Sequence, residues 1–354
     1  MPIATESIGS IPRPPYLLEG LADRAAGKID QAGLDALVDR ALVETIERLT
    51  ATGSPVLTDG EQAKPSFATY PLQGVDALAP DGAVIPFADG HTRQLPRLTG
   101  GPFRYGAFAV SYLTKATELA SRPVKQPVIA PSALSLLYPA DGLEDYPRSA
   151  FLADLADQAE TDIRQCLDAG AASVQLDFTE GRLSLKLDPS GGVLSQFIAL
   201  NNTVLDRFTD AERSRLGVHT CPGGDQDSAH SLEVDYAGLL PELFSLHAGT
   251  FYLQLASEPD PARVLRIVKE HARDDQRIFV GVIDPIDPRV ETPEEVRDRV
   301  LEAAGYIPVE RLGTCDDCGF SPFADDTSTS RETAFAKIEA RVRGTRLAAE
   351  KLGV

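Results

Sequence analysis

The sequence predicts an α/β protein with the fold of a (β/α)8 TIM barrel that carries a small insertion. Apolar β-like runs alternate with amphipathic helical stretches, which is typical of a parallel sheet surrounded by helices. There are roughly eight strand candidates, as a barrel requires, and polar residues follow their C-terminal ends, where barrel enzymes have active sites. No strand–GxGxxG–helix pattern indicates a dinucleotide-binding sheet. At 354 residues, the chain is predicted to be one catalytic domain over 1–354.

The first units of the pattern occupy the N-terminal third. Residues 30–52 have apolar residues at helical spacing and predict a helix, and the strand SPVLTDGE follows. The Pro- and Gly-rich stretch 71–105 predicts an insertion over one barrel end, with a small hairpin around AVIPFADGHTRQLPRL. The eighth and weakest strand candidate lies near 101–110.

The remaining units repeat strand and helix in order. Strands are predicted at PVIAPS, AASVQLDFTE, RLGVHTC, TFYLQLAS, RIFVGVIDP and RLGTCDDCGF, and helices near 147–169, 193–208, 236–246, 261–273 and 293–304. A last helix, from about 329 to 351, is expected to close the barrel.

Charge and composition exclude several classes of protein. The net charge is −19, from 53 Asp and Glu against 34 Lys and Arg, and no basic patch stands out, so nucleic acid and anionic membranes are not expected partners. No apolar run reaches about 18 residues, and the start of the chain does not resemble a signal peptide. The sequence predicts a cytoplasmic protein.

Three of the four cysteines and one of the five histidines predict a metal site. Cys166 lies in a predicted helix, where a buried inert thiol is expected. His219 and Cys221 follow the strand RLGV, and Cys315 and Cys318 end the strand RLGT. Imidazole and thiolates suit Zn²⁺. A closed structural site would use His219, Cys221, Cys315 and Cys318, whereas an open catalytic site would use His219, Cys221 and Cys318 and leave a position for a substrate thiol. The placement on two strand ends favours the catalytic site.

At this point the motifs resemble those of the cobalamin-independent methionine synthase family. The motifs are IGSIPRP at 8–14, Asp59-Gly60-Glu61, Gln175-Leu176-Asp177, His219-Thr220-Cys221 and Asp317-Cys318-Gly319. The resemblance spans the chain and corresponds to the C-terminal catalytic barrel of the long family members. It implies a barrel of the methionine synthase/uroporphyrinogen decarboxylase-like type.

The resemblance also implies roles for particular residues. His219, Cys221 and Cys318 match the family's zinc ligands, and Ser10, Glu61 and Asp177 match the groups that hold the amino-acid end of homocysteine. This agrees with the chemistry, because an ammonium group needs carboxylates and a carboxylate needs hydroxyl or backbone donors.

The sequence departs from the family pattern at three points. Gln254 stands where the family's fourth ligand, a Glu, is expected, so the fourth ligand is Gln254, the nearby Glu258 or Cys315. Ile286 stands where the family has a catalytic His, and the chain contains no Trp to stack on a pterin. With the family's N-terminal half also absent, we expect poor turnover of methyltetrahydrofolate. The candidate catalytic residues are Asp177 and Asp284, and Asp284 lies at a strand end. Asp284 would supply the proton that the absent His cannot give to the leaving group, if burial raised the pKa of Asp284.

Three hypotheses for the function follow. The first is a zinc-dependent S-methyltransferase that makes methionine from homocysteine, with a folate, a methylated corrinoid protein or a small methyl compound as donor. The second is an enzyme similar to epoxyalkane:coenzyme M transferase that forms or cleaves a thioether, in which Arg13 and Lys64 would bind a sulfonate. The carboxylates of Glu61 and Asp177 favour the first. The third is a zinc-stabilised binding protein without activity.

Overall fold

The computed structural model describes residues 3–354, and these contain thirteen strands and twelve α-helices. The strands are β1 (Ala4–Thr5), β2 (Leu78–Ala79), β3 (Val84–Pro86), β4 (Thr92–Gln94), β5 (Arg97–Leu98), β6 (Gln126–Ile129), β7 (Val174–Asp177), β8 (Leu216–Thr220), β9 (Gly224–Asp225), β10 (Ser228–Ala229), β11 (Thr250–Leu253), β12 (Arg277–Ile283) and β13 (Leu312–Asp316). The helices are α1 (Pro15–Ala25), α2 (Gln31–Ala51), α3 (Val110–Leu119), α4 (Pro131–Leu134), α5 (Arg148–Asp168), α6 (Glu180–Leu187), α7 (Gly192–Leu205), α8 (Asp210–Arg213), α9 (Leu240–Leu243), α10 (Pro261–His271), α11 (Pro293–Ala304) and α12 (Arg331–Leu352).

The centre of the molecule is a parallel sheet of seven strands in the order β1-β13-β12-β11-β8-β7-β6. Residues 57–60 contact both of its edges. Leu57 forms a parallel bridge to Val124 just before β6, while Ile11, in the segment after β1, donates its N–H to Gly60 O at 3.0 Å. The predicted α/β barrel fold is therefore confirmed, with the strand predicted at SPVLTDGE reduced to a single bridge.

Two predicted elements were wrong. The described residues 101–110 contain no strand, and α3 begins at Val110. The seventh strand of the sheet is instead β1, too short to produce an alternating pattern in the sequence. The helix expected near 236–246 is split into the 3-10 turn Tyr236–Gly238 and α9. The other predicted helices are confirmed.

Local sequence explains the long elements. Strands β6, β7, β8, β11 and β13 are buried along their whole length, and so is β12 after its first residue, as expected for parallel strands covered on both faces. Helix α11 begins with a capping box, in which Thr292 and Glu295 each accept from the other's backbone N–H. These elements carry the polar residues of the strand ends to one edge of the sheet.

The predicted hairpin is present within 71–105. Strands β3 and β4 pair antiparallel, and β2 pairs with β5. Arg93 on β4 fastens the hairpin to the strand-end loops, because its guanidinium donates to Asp225 at 2.5 and 3.1 Å and to Asp325 at 2.9 Å. No helix among the described residues is long and apolar enough to cross a bilayer.

Candidate metal centre

Three soft donor side chains meet at the C-terminal edge of the sheet. His219 lies on β8, Cys221 directly follows that strand, and Cys318 follows β13. Their ligand atoms all lie within 4.8 Å of one another, and the two sulfur atoms are 3.2 Å apart. An imidazole and two thiols in this arrangement fit the ligand set of a Zn²⁺ site.

The two thiols influence each other's protonation. A hydrogen bond from the Cys221 thiol lowers the pKa of Cys318. The same bond, together with burial, raises the pKa of Cys221 well above its ordinary value. A hydrogen-bonded pair of sulfurs in which the pKa of one thiol is lowered suits a bound cation, since a metal ligand must be a thiolate.

A hydrogen-bond chain below the sulfurs holds the imidazole. Asp177 Oδ1, at the end of β7, accepts from His219 Nδ1 at 3.1 Å. Gln175 Nε2 donates to the same oxygen at 2.8 Å, and the buried Lys125 donates to Gln175 Oε1 at 2.7 Å. A carboxylate on one ring nitrogen is the usual way to orient a metal-binding His through the other nitrogen.

Glu61 lies beside this centre in a strained backbone conformation. Its φ is 56°, in the left-handed region, where a non-glycine residue costs about 1–3 kcal/mol. The conformation is held by Asp59, which accepts the Glu61 N–H at 3.1 Å, and by Arg13, which donates to Glu61 O at 2.7 Å. Burial raises the pKa of Glu61 to about 7; Asp177 adds to this rise, while the Lys64 ammonium, 3.0 Å away, opposes it.

A cavity with about 330 Å³ of empty volume joins these groups, and we call it the inner pocket. Its lining includes Ile8, Gly9, Ser10, Glu61, Phe67, Asp177, Thr179, His219, Gly223, Gly224, Cys318, Gly319 and Pro322. The Ser10 hydroxyl oxygen accepts the N–H of Ser321 at 3.1 Å. A Cβ at position 319 would lie 2.2 Å from Ser10 Oγ, so this contact requires glycine.

The three candidates for the fourth zinc ligand lie in different surroundings. Cys315 packs inside the sheet with Ile8, Tyr252 and Phe279, and neither Cys315 nor Glu258 belongs to the metal-binding group of described residues. Glu258 is ion-paired with Arg182 at 2.8 Å. Gln254 Oε1 accepts from Arg182 at 3.3 Å.

A second cavity, which we call the outer pocket, lies on the other side of Cys318. It has about 640 Å³ of empty volume, and it shares Gly224, Cys318, Gly319 and Pro322 with the inner pocket. Gln254, Asp284 and Ile286 line it. Burial raises the pKa of Asp284, and its Oδ1 accepts the N–H of Ile286 at 3.0 Å.

Several residues that hold the site in place were not predicted from the sequence. Asp317 Oδ1 accepts the N–H groups of Leu255 and Ala256, and Oδ2 accepts from Ser257; this fixes the loop after Gln254 against Cys318. The sequence signal that could have identified Asp317 is its place beside Cys318 in the motif Asp317-Cys318-Gly319. Lys125 and Arg182 stand in no motif, and only their burial reveals them.

Comparison with known proteins agrees with this geometry. A family model described as the catalytic domain of cobalamin-independent synthase matches residues 1–340. A methionine synthase of Sulfurisphaera tokodaii is 23% identical over 353 residues, which are 99% of this chain and 94% of the relative. A 5-methyltetrahydropteroyltriglutamate–homocysteine methyltransferase of Nitratidesulfovibrio vulgaris is 25% identical over 320 residues, 90% of this chain but 38% of the relative.

The fold has a close match among solved structures. A B12-independent methionine synthase from Shewanella sp. W3-18-1, in complex with selenomethionine, superposes with a TM-score of 0.79 at 18% identity and covers 99% of both chains. The match to the family model extends over nearly the whole sequence. The chain therefore belongs to the cobalamin-independent methionine synthase family and, as a member, is a methyltransferase.

Proposed function

We propose that this protein transfers a methyl group to the sulfur of homocysteine and forms methionine, as a cytoplasmic, zinc-dependent catalytic domain that spans residues 1–354. The observation that carries the proposal is the inner pocket. It places two carboxylates and a hydroxyl against the same cluster of soft ligands. Both the family membership and the names of the relatives support methyl transfer.

The amino-acid end of the substrate is held by Ser10, Glu61 and Asp177. The ammonium group pairs with the carboxylates of Glu61 and Asp177, and the Ser10 hydroxyl donates to the substrate carboxylate. The strained φ of Glu61 supports a functional role, because strain of this kind persists where the surroundings fix a residue for its task. The substrate thiol is thereby directed towards Cys318 and His219.

His219, Cys221 and Cys318 would hold the Zn²⁺. When bound, the ion would lower the pKa of the substrate thiol and supply it as a thiolate at neutral pH. Three protein ligands with one open position are typical of catalytic zinc sites. Gln254, which lines the outer pocket together with Cys318, remains our candidate for the ligand that occupies this position before the substrate thiol takes it.

Asp177 has two tasks in this scheme. Its carboxylate orients His219 through Nδ1 and also lines the inner pocket beside the substrate ammonium. The methyl donor enters the outer pocket, beside Asp284. There the homocysteine sulfur attacks the methyl carbon, and the bond from that carbon to the donor breaks. The relatives' names give no support to a corrinoid-protein donor, and we do not propose one.

The contacts of Arg13 and Lys64 argue against coenzyme M as the thiol. Arg13 donates to the carbonyls of Glu61 and Lys64 at 2.7 Å, and Lys64 is buried against Glu61. Neither cation is free to bind a sulfonate. The interpretation as a binding protein without activity is wrong, because the chain belongs to an enzyme family.

The test is a thiol assay with zinc-loaded protein and methyl methanesulfonate, a small neutral methyl donor. We expect protein-dependent methylation of homocysteine, weaker methylation of coenzyme M, and loss of the homocysteine preference in Glu61→Gln. A chelator should abolish the reaction. Equal rates with both thiols, or no rate above the uncatalysed reaction, would contradict the proposal.

A further inference from the structure

A buried network of polar side chains lies inside the sheet, next to the metal centre. Its members are Glu6, Lys125, Gln175, Asp177 and Tyr252. The side chain of Lys125 has no exposed surface. An ion pair buried in this way is often less stable than apolar side chains of the same volume. The burial of Lys125 therefore points to a role in orienting its neighbours, and not to a role in stability.

The contacts of Lys125 hold its ammonium group in one place. Nζ lies 3.5 Å from Glu6 Oε2 and 4.1 Å from the ring centre of Tyr252, and the Tyr252 hydroxyl donates to the same Glu6 oxygen at 2.7 Å. Nζ also donates to Gln175 Oε1 at 2.7 Å. Because an ammonium group is only a donor, the oxygen of the Gln175 amide must face it. The amide NH2 group of Gln175 therefore points away from Lys125.

The NH2 group of Gln175 acts on one oxygen of Asp177. Gln175 Nε2 donates to Ile8 O at 3.1 Å and to Asp177 Oδ1 at 2.8 Å. His219 Nδ1 is bound to the same Oδ1 at 3.1 Å. Among the described residues, none donates to Asp177 Oδ2, although Asp177 lines the inner pocket. Oδ2 is therefore left for a ligand in that pocket.

The two oxygens of a carboxylate are chemically equivalent, and the torsion that turns them is soft. Nothing in Asp177 itself assigns one oxygen to the imidazole and the other to the pocket. Two anchored donors on Oδ1 make that assignment. Without Lys125, the amide oxygen of Gln175 would be buried without a partner, which is costly. The Gln175 side chain would then turn to find a new donor and release Oδ1.

We propose that Lys125 is a positioning residue of this site. Through Gln175, it assigns the two oxygens of Asp177 to different tasks. Oδ1 orients the imidazole of His219 for the metal, and Oδ2 accepts the ammonium group of the amino-acid substrate. The assignment of Oδ2 rests on the proposed function, whereas the assignment of Oδ1 does not.

The main test is the double variant Lys125→Met, Glu6→Gln, which removes both members of the ion pair and so leaves no unpaired charge. We expect its unfolding free energy in denaturant to equal or exceed that of the wild type. Its affinity for zinc, measured in competition with a chelator, should fall about tenfold, the lower end of the range for groups that support metal ligands. Its affinity for methionine, measured by calorimetry at saturating zinc, should fall by a similar factor.

The ring proton of His219 provides a spectroscopic readout that does not depend on turnover. In NMR spectra of zinc-loaded protein with isotope-labelled histidine, the proton on Nδ1 should be protected from exchange while Asp177 accepts it. In the double variant this signal should broaden or disappear, because Oδ1 is no longer held against the ring. A merely structural role of Lys125 would leave the signal unchanged.

Two further variants act on either side of Lys125. Gln175→Met keeps the length of the side chain and removes the hydrogen bonds to Lys125 and Asp177, so it should reproduce the losses of the double variant. Tyr252→Phe is the matched control. It removes a buried hydrogen bond to Glu6 but leaves the contacts from Lys125 to Asp177 in place, and it should keep wild-type affinities and the His219 signal.

The outcomes separate this inference from the proposed function. Wild-type zinc affinity and an intact His219 signal in both the double variant and Gln175→Met would overturn the role of Lys125, and if the double variant does not fold, Gln175→Met decides. Loss of zinc affinity with unchanged methionine affinity would overturn the assignment of Oδ2. If the wild type binds no methionine, the proposed function fails, and the zinc affinity and the proton signal still decide the assignment of Oδ1.

Discussion

At the scale of single residues, one carboxylate belongs to both the metal site and the inner pocket. Asp177 orients His219 through a hydrogen bond of 3.1 Å and also lines the inner pocket. Its own position is fixed by Gln175, which is bound to the buried Lys125. A substitution of any of these hydrogen-bonded residues would therefore alter both metal binding and substrate binding, and the two effects must be measured separately.

The ligand set predicts about one zinc ion per chain. The double variant Cys221→Ser, Cys318→Ser should retain close to none after dialysis, because a serine hydroxyl does not replace a thiolate. Elemental analysis measures this directly. Cys166→Ala, which removes a thiol buried in α5, is the control and should keep its zinc. Equal zinc in the wild type and the double variant would exclude these ligands.

Glu61 predicts both the strength and the pH dependence of substrate binding. Methionine, the expected product, has no thiol to titrate and serves as the probe. Glu61→Gln should weaken its binding by about 1–3 kcal/mol, the range for a hydrogen bond to a charged group. Because the pKa of Glu61 is raised to about 7 by burial, the carboxylate forms as pH rises through 7, and wild-type affinity should increase between about pH 6 and 8.

Calorimetry across that pH range tests the assignment. The Glu61→Gln variant should give a flat profile over the same interval, since the amide does not titrate. Glu118→Gln, an exposed substitution on α3, should match the wild type. If Glu61→Gln binds methionine as tightly as wild type, Glu61 does not hold the amino-acid end.

The residues with distinctive chemistry could be predicted from the sequence. His219, Cys221 and Cys318 follow apolar strands, and their residue types are rare enough to indicate a metal. Lys125 and Arg182 could not be predicted, because a lysine or arginine in the sequence reads as a surface residue until its burial is known.

At the scale of elements, the ends of the parallel strands determine the site. Strands β7, β8 and β13 deliver Asp177, His219 and Cys318 to one edge because parallel strands share their direction. The long helices were predictable because their apolar spacing repeats over several turns. Strand β1, with two residues, and the bridge at Leu57 give no such pattern, and tertiary pairing alone makes them part of the sheet.

The start of α6 makes a prediction about stability. Burial raises the pKa of Glu180, the first residue of that helix, from 4.5 to about 8. The folded state therefore binds more protons than the unfolded state between these values. The stabilisation is fully present below the unfolded pKa and is lost as pH rises through about 8. The unfolding free energy should fall by on the order of a few kcal/mol across this range.

Denaturant unfolding at about pH 5 and about pH 9 measures the effect, which other buried carboxyl groups share. Glu180→Gln keeps the shape of the side chain and removes its titration, so its loss of stability between the two pH values should be smaller than that of the wild type. The exposed Glu118→Gln should lose as much as the wild type. Equal losses in all three proteins would show that Glu180 is not the group responsible.

At the scale of the whole molecule, the net charge of −19 acts on any charged ligand that approaches. Neither the fold nor the pockets could be read from this number, because charge bears on association and not on fold. A charge of this sign repels an anionic donor at distances beyond direct contact and leaves a neutral donor unaffected.

This field predicts how turnover depends on salt. Between about 0.01 M and about 1 M ionic strength, the Debye length falls from about 30 Å to about 3 Å, so interactions with distant charges are screened. We expect kcat/KM for the anion methyltetrahydrofolate, which we expect to be low, to rise about three- to tenfold over this interval, since the repulsion that slows its approach is screened. With neutral methyl methanesulfonate, kcat/KM should stay constant, which controls for effects of salt on the thiol and the metal. Steady-state assays at matched pH decide the matter, and identical salt profiles for the two donors would show that the acidic field takes no part in donor binding.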